Sequence, residues 1–164
     1  MKTAVIYYSL TGNTDSAAKI IAEKLHADLI RLLPEKTYPD SGFRKFLYGG
    51  KSAVMKEAPA LENRPFVLDN YGCVILGTPV WAGTFAPPLR TLIRQNAGQW
   101  GKKRVAAFVC SGGGEGKTLD KLKTELGIPS FAAALSLIDP KDRPSRENEK
   151  KIAAFCGDVE KACL

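Results

Sequence analysis

The chain has 164 residues, a single histidine and a formal net charge of +7, from 24 Lys and Arg against 17 Asp and Glu. That length suits one domain, residues 1–164, whose folding removes roughly 68–70% of the unfolded surface from water, so a full core forms without staples. Four cysteines without a Cys-x-x-Cys pair and one histidine exclude an ordinary zinc site, and no apolar run approaches the ~20 residues that cross a bilayer. The expectation is a cytoplasmic protein with reduced thiols, no metal and no membrane partner; the apolar start "TAVIYYS" is too short for a signal-peptide core.

Strand-length apolar runs alternate with helical patterns. "TAVIYYS" reads as a strand, followed by a helix over 14–26 with Ala17, Ile21 and Leu25 on one face. "DLIRLL" is a second strand, and "GCVILG" a third, separated by the irregular stretch 34–65, part of which, around Phe43 to Met55, reads as helical. Pro87 and Pro88 open the next helix, "RVAAFVC" is a fourth strand, and a helix from 117 closes at Gly127. "FAAALSLI" is a fifth strand, and the final helix from about 146 carries a stripe of Ile152, Phe155, Val159 and Cys163, with Gly157 as a weak point. This alternation predicts an α/β fold: a doubly wound, five-stranded parallel sheet with helices on both faces.

The positive charge attracts anions in general and selects none. "FRKFLYGGKSAVMK" interleaves Phe43, Phe46 and Tyr48 with Arg44, Lys45, Lys51 and Lys56, a pattern that suits a nucleic-acid strand. An aromatic side packed on the protein with solvated lysines is the stronger reading, and no nucleic-acid partner is expected. "SGGGEGKT", residues 111–118, spells most of a nucleotide-triphosphate loop, with Asp139 as a magnesium ligand, but Ser111 stands where that pattern requires glycine.

In an open parallel sheet, ligands bind beyond the strand C-termini, where the strand order reverses. Three loops lie there. Ser9, Leu10, Thr11, Gly12, Asn13 and Thr14 offer hydroxyls, an amide and the amino end of a helix, donors that suit a phosphate. The loop carries no Lys or Arg, which fits a permanently held monophosphate better than a triphosphate. Thr78, Pro79, Val80, Trp81, Ala82 and Gly83 place a large ring at a strand end, where it either faces a planar heteroaromatic ligand or caps the core edge. Ser111, Gly112, Gly113 and Gly114 let backbone approach a ligand closely.

Together these motifs resemble the flavodoxin-like family. "SLTGNT" at 9–14 is similar to that family's FMN-phosphate loop, and "TPVWAG" at 78–83 to the loop lining the isoalloxazine, with Trp81 at the stacking position. The resemblance covers the chain and implies strand order 2-1-3-4-5, with FMN as cofactor at the switch between the first and third strands. Residues 9–14 would hold the phosphate, Pro79 to Gly83 the ribityl chain and ring, and Ser111 to Gly114 the pyrimidine edge.

The implied function is a flavoprotein that transfers electrons through a non-covalent flavin, with no catalytic acid or base to name. The chain departs from the acidic carriers of that family in being basic, and from many of them in lacking an aromatic in the third loop. The departures favour two alternatives: docking of an acidic redox partner protein, or an oxidoreductase using NAD(P)H and a small acceptor such as a quinone, for which a homodimer covering the ring is one form. The open face leads us to expect Tyr48 near the flavin, and His26 at the surface.

Overall fold

The central parallel strands alternate their side chains between two covered faces. In β1 (Thr3–Tyr7), Ala4 and Ile6 join one apolar layer and Val5 and Tyr7 the other, all of them buried. The computed structural model describes residues 1–39, 42–63 and 67–163, without the side chains of 42–47, so the readings of Phe43, Arg44, Lys45 and Phe46 lie outside the described residues.

After β1 come α1 (Asn13–Lys24), β2 (Asp28–Arg31), α2 (Gly42–Val54), β3 (Cys73–Trp81), β4 (Thr84–Phe85) and α3 (Pro87–Gln95). Then follow β5 (Arg104–Ser111), α4 (Thr118–Leu126), β6 (Ala134–Ile138) and α5 (Arg146–Cys163). The parallel strands lie in the order β2-β1-β3-β5-β6, which is the expected 2-1-3-4-5 once β4 is set aside. β4 corrects the expected count of five, because it pairs antiparallel with the end of β3, Val80 opposite Phe85 and Trp81 opposite Thr84.

The physical cause is a tight turn. β3 runs on past Gly77 to Trp81, and Ala82 and Gly83, at φ of 50° and 68°, reverse the chain in the left-handed conformation that hairpin turns require. Thr78 fixes the return: its hydroxyl accepts from the Ala86 N–H at 2.9 Å and donates to the Pro79 carbonyl at 2.9 Å.

Helices α3 and α4 pack Leu89, Leu92 and Leu122 onto one sheet face, and α1 and α5 pack Ala17, Ile21, Ile152 and Phe155 onto the other. The α5 stripe outweighs the roughly 1 kcal/mol cost of Gly157, and the helix runs through it unbroken. α2 lies beside β3 and β4. The expectation of four reduced thiols is corrected: a disulfide joins Cys73, at the start of β3, to Cys163, at the end of α5, while Cys110 and Cys156 are free and buried. No helix among the described residues is long and apolar enough to cross a membrane.

Candidate functional site

Beyond the C-terminal ends of β1, β3 and β5 lies a cavity of about 540 Å³. From the first loop, Ser9, Leu10, Thr11, Asn13 and Thr14 line it. Gly12 stands behind them as the N-cap of α1 at φ 101°, a left-handed conformation that favours glycine, and no side chain caps the helix. The Gly12 N–H donates to Ser9 Oγ at 3.2 Å, which curls the turn.

Pro79, Val80, Trp81 and Ala82 form the second wall. The Trp81 ring meets Tyr38 edge-on at 4.9 Å and Tyr8 at 5.6 Å between centroids. On a further side it meets α2, where a Cβ on Gly49 would come within 3.3 Å of Trp81 Cε3. Gly50 also lines the cavity. Thr78 is buried and serves the hairpin, and Gly83 is at the turn, where its carbonyl accepts from Lys121 Nζ at 2.8 Å. Tyr48 is 51% exposed and is not among the lining residues, and His26 is exposed after α1.

From the third loop, Ser111 and Gly112 line the cavity, while Gly113 and Gly114 are exposed and outside the lining. Ser111 Oγ accepts from the Gly114 N–H at 2.9 Å. Asp139, the magnesium ligand of a triphosphate reading, is instead bound to Arg143 at 2.5 Å.

A fourth loop, after β6, was not singled out from the sequence, although it lies at the same sheet edge and "DPKDRP" marks it as polar and sharply turned. Asp139 and Asp142 line the cavity. Asn13 clasps this loop, donating to Asp142 Oδ2 at 2.8 Å and accepting from the Lys141 and Asp142 N–H groups at 2.9 and 3.1 Å. Arg143 donates to the Gly112 carbonyl at 2.6 Å, so one loop braces both the first and the third.

Behind the first loop, Tyr7 donates to Asp15 at 2.6 Å, and Lys19 lies 2.8 Å from the same carboxylate. Burial works to raise the Asp15 pKa, but the bonds from Lys19 and Tyr7 and the nearby charges of Lys19 and Arg31 outweigh it, so the carboxyl titrates below its ordinary value. Burial pushes the Tyr8 phenol up, Tyr38 adds to this and Arg31 opposes it. Burial likewise drives the Cys110 thiol up to about 12 against a hydrogen bond with Thr14, so this lining cysteine is not a nucleophile at neutral pH. Among the described residues, no group of three or more His, Cys, Asp or Glu is placed to hold a metal ion.

A doubly wound sheet with its site at the β1/β3 switch defines a flavodoxin-like protein. Solved structures agree in fold. A candidate flavoprotein from Bacteroides eggerthii superposes with a TM-score of 0.75 at 22% identity, covering 99% of this chain and 98% of that one. One from Bacteroides uniformis gives a TM-score of 0.73 at 25% identity, covering 93% and 97%. A Lactobacillus acidophilus flavoprotein solved in complex with FMN gives 0.67 at 23% identity, covering 86% and 95%. The flavodoxin family profile matches residues 2–151, and the chain belongs to the flavodoxin family.

Proposed function

We propose that the chain binds FMN non-covalently and transfers electrons through it. The observation that carries this reading is the convergence of the uncapped α1 turn, the Trp81 wall and the Ser111–Gly112 edge on one cavity. The residues present fit the group. The amino end of α1 and the hydroxyls of Ser9, Thr11 and Thr14 suit a phosphate, Trp81 suits a planar ring, and of the lining carboxylates Asp139 is engaged by Arg143 and Asp142 by Asn13.

Bound FMN supplies one- and two-electron redox chemistry; the protein supplies position, exclusion of water and electrostatics. Trp81, held by Tyr8, Tyr38 and Gly49, orients the ring. The brace from Arg143 to Gly112 fixes the backbone at the pyrimidine edge. The membership in the flavodoxin family and the FMN complex of the Lactobacillus acidophilus protein support this reading.

Within it, we favour an electron carrier whose net charge of +7 docks an acidic redox protein, since complementary charge sets orientation and rate. A second reading, a reductase taking electrons from NAD(P)H for a small acceptor, is supported by the open rim: nothing lies within 4 Å of where side chains on Gly113 and Gly114 would stand. The test is titration of FMN into the protein by visible absorbance, followed by NADPH and then NADH without oxygen. Rapid bleaching selects the reductase, and a spectrum that stays oxidised until dithionite is added selects the carrier. Failure to load FMN overturns both.

A further inference from the structure

The first loop carries no Lys or Arg of its own, and a helix terminus offers only about half a positive charge to a phosphate. Two cations from elsewhere in the chain touch its backbone. Arg31 donates to the Ser9 carbonyl at 3.0 Å, but its guanidinium also faces the Asp15 carboxylate at 3.8 Å. Lys141, from the loop after β6, donates from Nζ to the Thr11 carbonyl at 3.2 Å and, among the described residues, joins no ion pair. The same Nζ lies 3.0 Å from where a Cβ on Gly12 would stand, so the ammonium is seated directly on the turn that caps α1.

Two features make this placement more than a stray surface lysine. The backbone of Lys141 is fixed by Asn13 Oδ1 at 2.9 Å, so the stem is delivered to the turn whatever its tip does. The absence of a side chain at Gly12 is what leaves room for the amine. We infer that Lys141 supplies the full positive charge that the phosphate turn lacks, and so makes the site select a flavin bearing a phosphate over the same flavin without one. This rests on the FMN reading above. The lysine is a positioning and charge-complementing residue for the phosphate, and it acts on the ring through no contact of its own.

The experiment measures dissociation constants of FMN and of riboflavin, by fluorescence quenching, for the wild type, Lys141→Gln and Lys141→Arg at low and high salt. Riboflavin has the same ring and ribityl chain and no phosphate. In Lys141→Gln, FMN affinity falls about threefold to tenfold, as expected for one solvent-exposed, charge-assisted pair, while riboflavin affinity is unchanged. Lys141→Arg restores FMN affinity, and the salt dependence of FMN binding is shallower in Lys141→Gln than in the wild type. Equal losses for the two flavins make Lys141 a brace of the loop and overturn the inference, as does an unchanged FMN constant. A wild type that binds neither flavin overturns the FMN reading itself, and the inference with it.

Discussion

The carboxamide of Asn13 donates to Asp142 Oδ2 at 2.8 Å while its oxygen accepts from the N–H groups of Lys141 and Asp142, joining the amino end of α1 to the loop after β6. Asn13 is 8% exposed, so these bonds form largely out of water. Asn13→Ala leaves their partners unsatisfied and costs about 1–3 kcal/mol. Asn13→Asp costs more at pH 7, because a second carboxylate then faces Asp142. Urea unfolding of both variants at pH 7 checks this.

Trp81→Ala weakens FMN binding by about 1–3 kcal/mol, the loss measured for aromatic stacking on bases. Calorimetric titration that shows unchanged affinity removes Trp81 from the site. Gly49→Ala presses a methyl to 3.3 Å from the same ring, which must yield by a few tenths of an ångström. Its stability stays near that of the wild type, because alanine gains up to about 1 kcal/mol of helix propensity. FMN affinity and the tryptophan emission maximum nevertheless shift.

Arg90 is 2% exposed, with Nε 3.2 Å from Glu125 and its guanidinium 4.5 Å from the Phe85 ring. Glu125→Ala strands that buried charge and lowers unfolding stability by about 3–5 kcal/mol. The double change Arg90→Met with Glu125→Gln costs less than Glu125→Ala alone. A double variant that is the less stable of the two contradicts the argument.

Stability also depends on pH in two windows. The depressed Asp15 carboxyl stabilises the fold above its ordinary value of 3.8, and this contribution is lost as pH falls through the lower folded value. The Cys110 thiol, raised from 9.0 to about 12, contributes fully below pH 9 and loses that contribution as pH rises toward 12. Melting curves across pH are therefore flatter on the acid side in Asp15→Asn and on the alkaline side in Cys110→Ala.

The parallel strands were legible because the three central ones are apolar runs covered on both faces, a pattern that survives without knowledge of contacts, and the edge strands β2 and β6 keep shorter apolar stretches between helical patterns. The strand-end rule and "SLTGNT" likewise brought the first and second loops together. β4 was not legible: two residues carry no periodicity, and only the left-handed Ala82–Gly83 turn reveals them. The cations on the first loop were missed for a different reason. Arg31 and Lys141 arrive from 22 and 130 residues away, and nothing in the local sequence of a phosphate turn announces a lysine delivered by the opposite end of the chain. The Cys73–Cys163 disulfide spans 90 residues and is equally invisible to spacing.

Cys73 opens β3 and Trp81 closes it. Eight residue steps at ~3.3 Å set the sulfur bridge and the aromatic wall about 26 Å apart along one rigid strand. Thiol–disulfide exchange requires direct contact between sulfurs, so the bridge is chemically deaf to whatever happens at the other end. What the strand can carry between its ends is mechanical: breaking the bridge removes the covalent tie between β3 and the end of α5, whose stripe stays packed in the core, and any effect on the cavity travels as displacement rather than as charge.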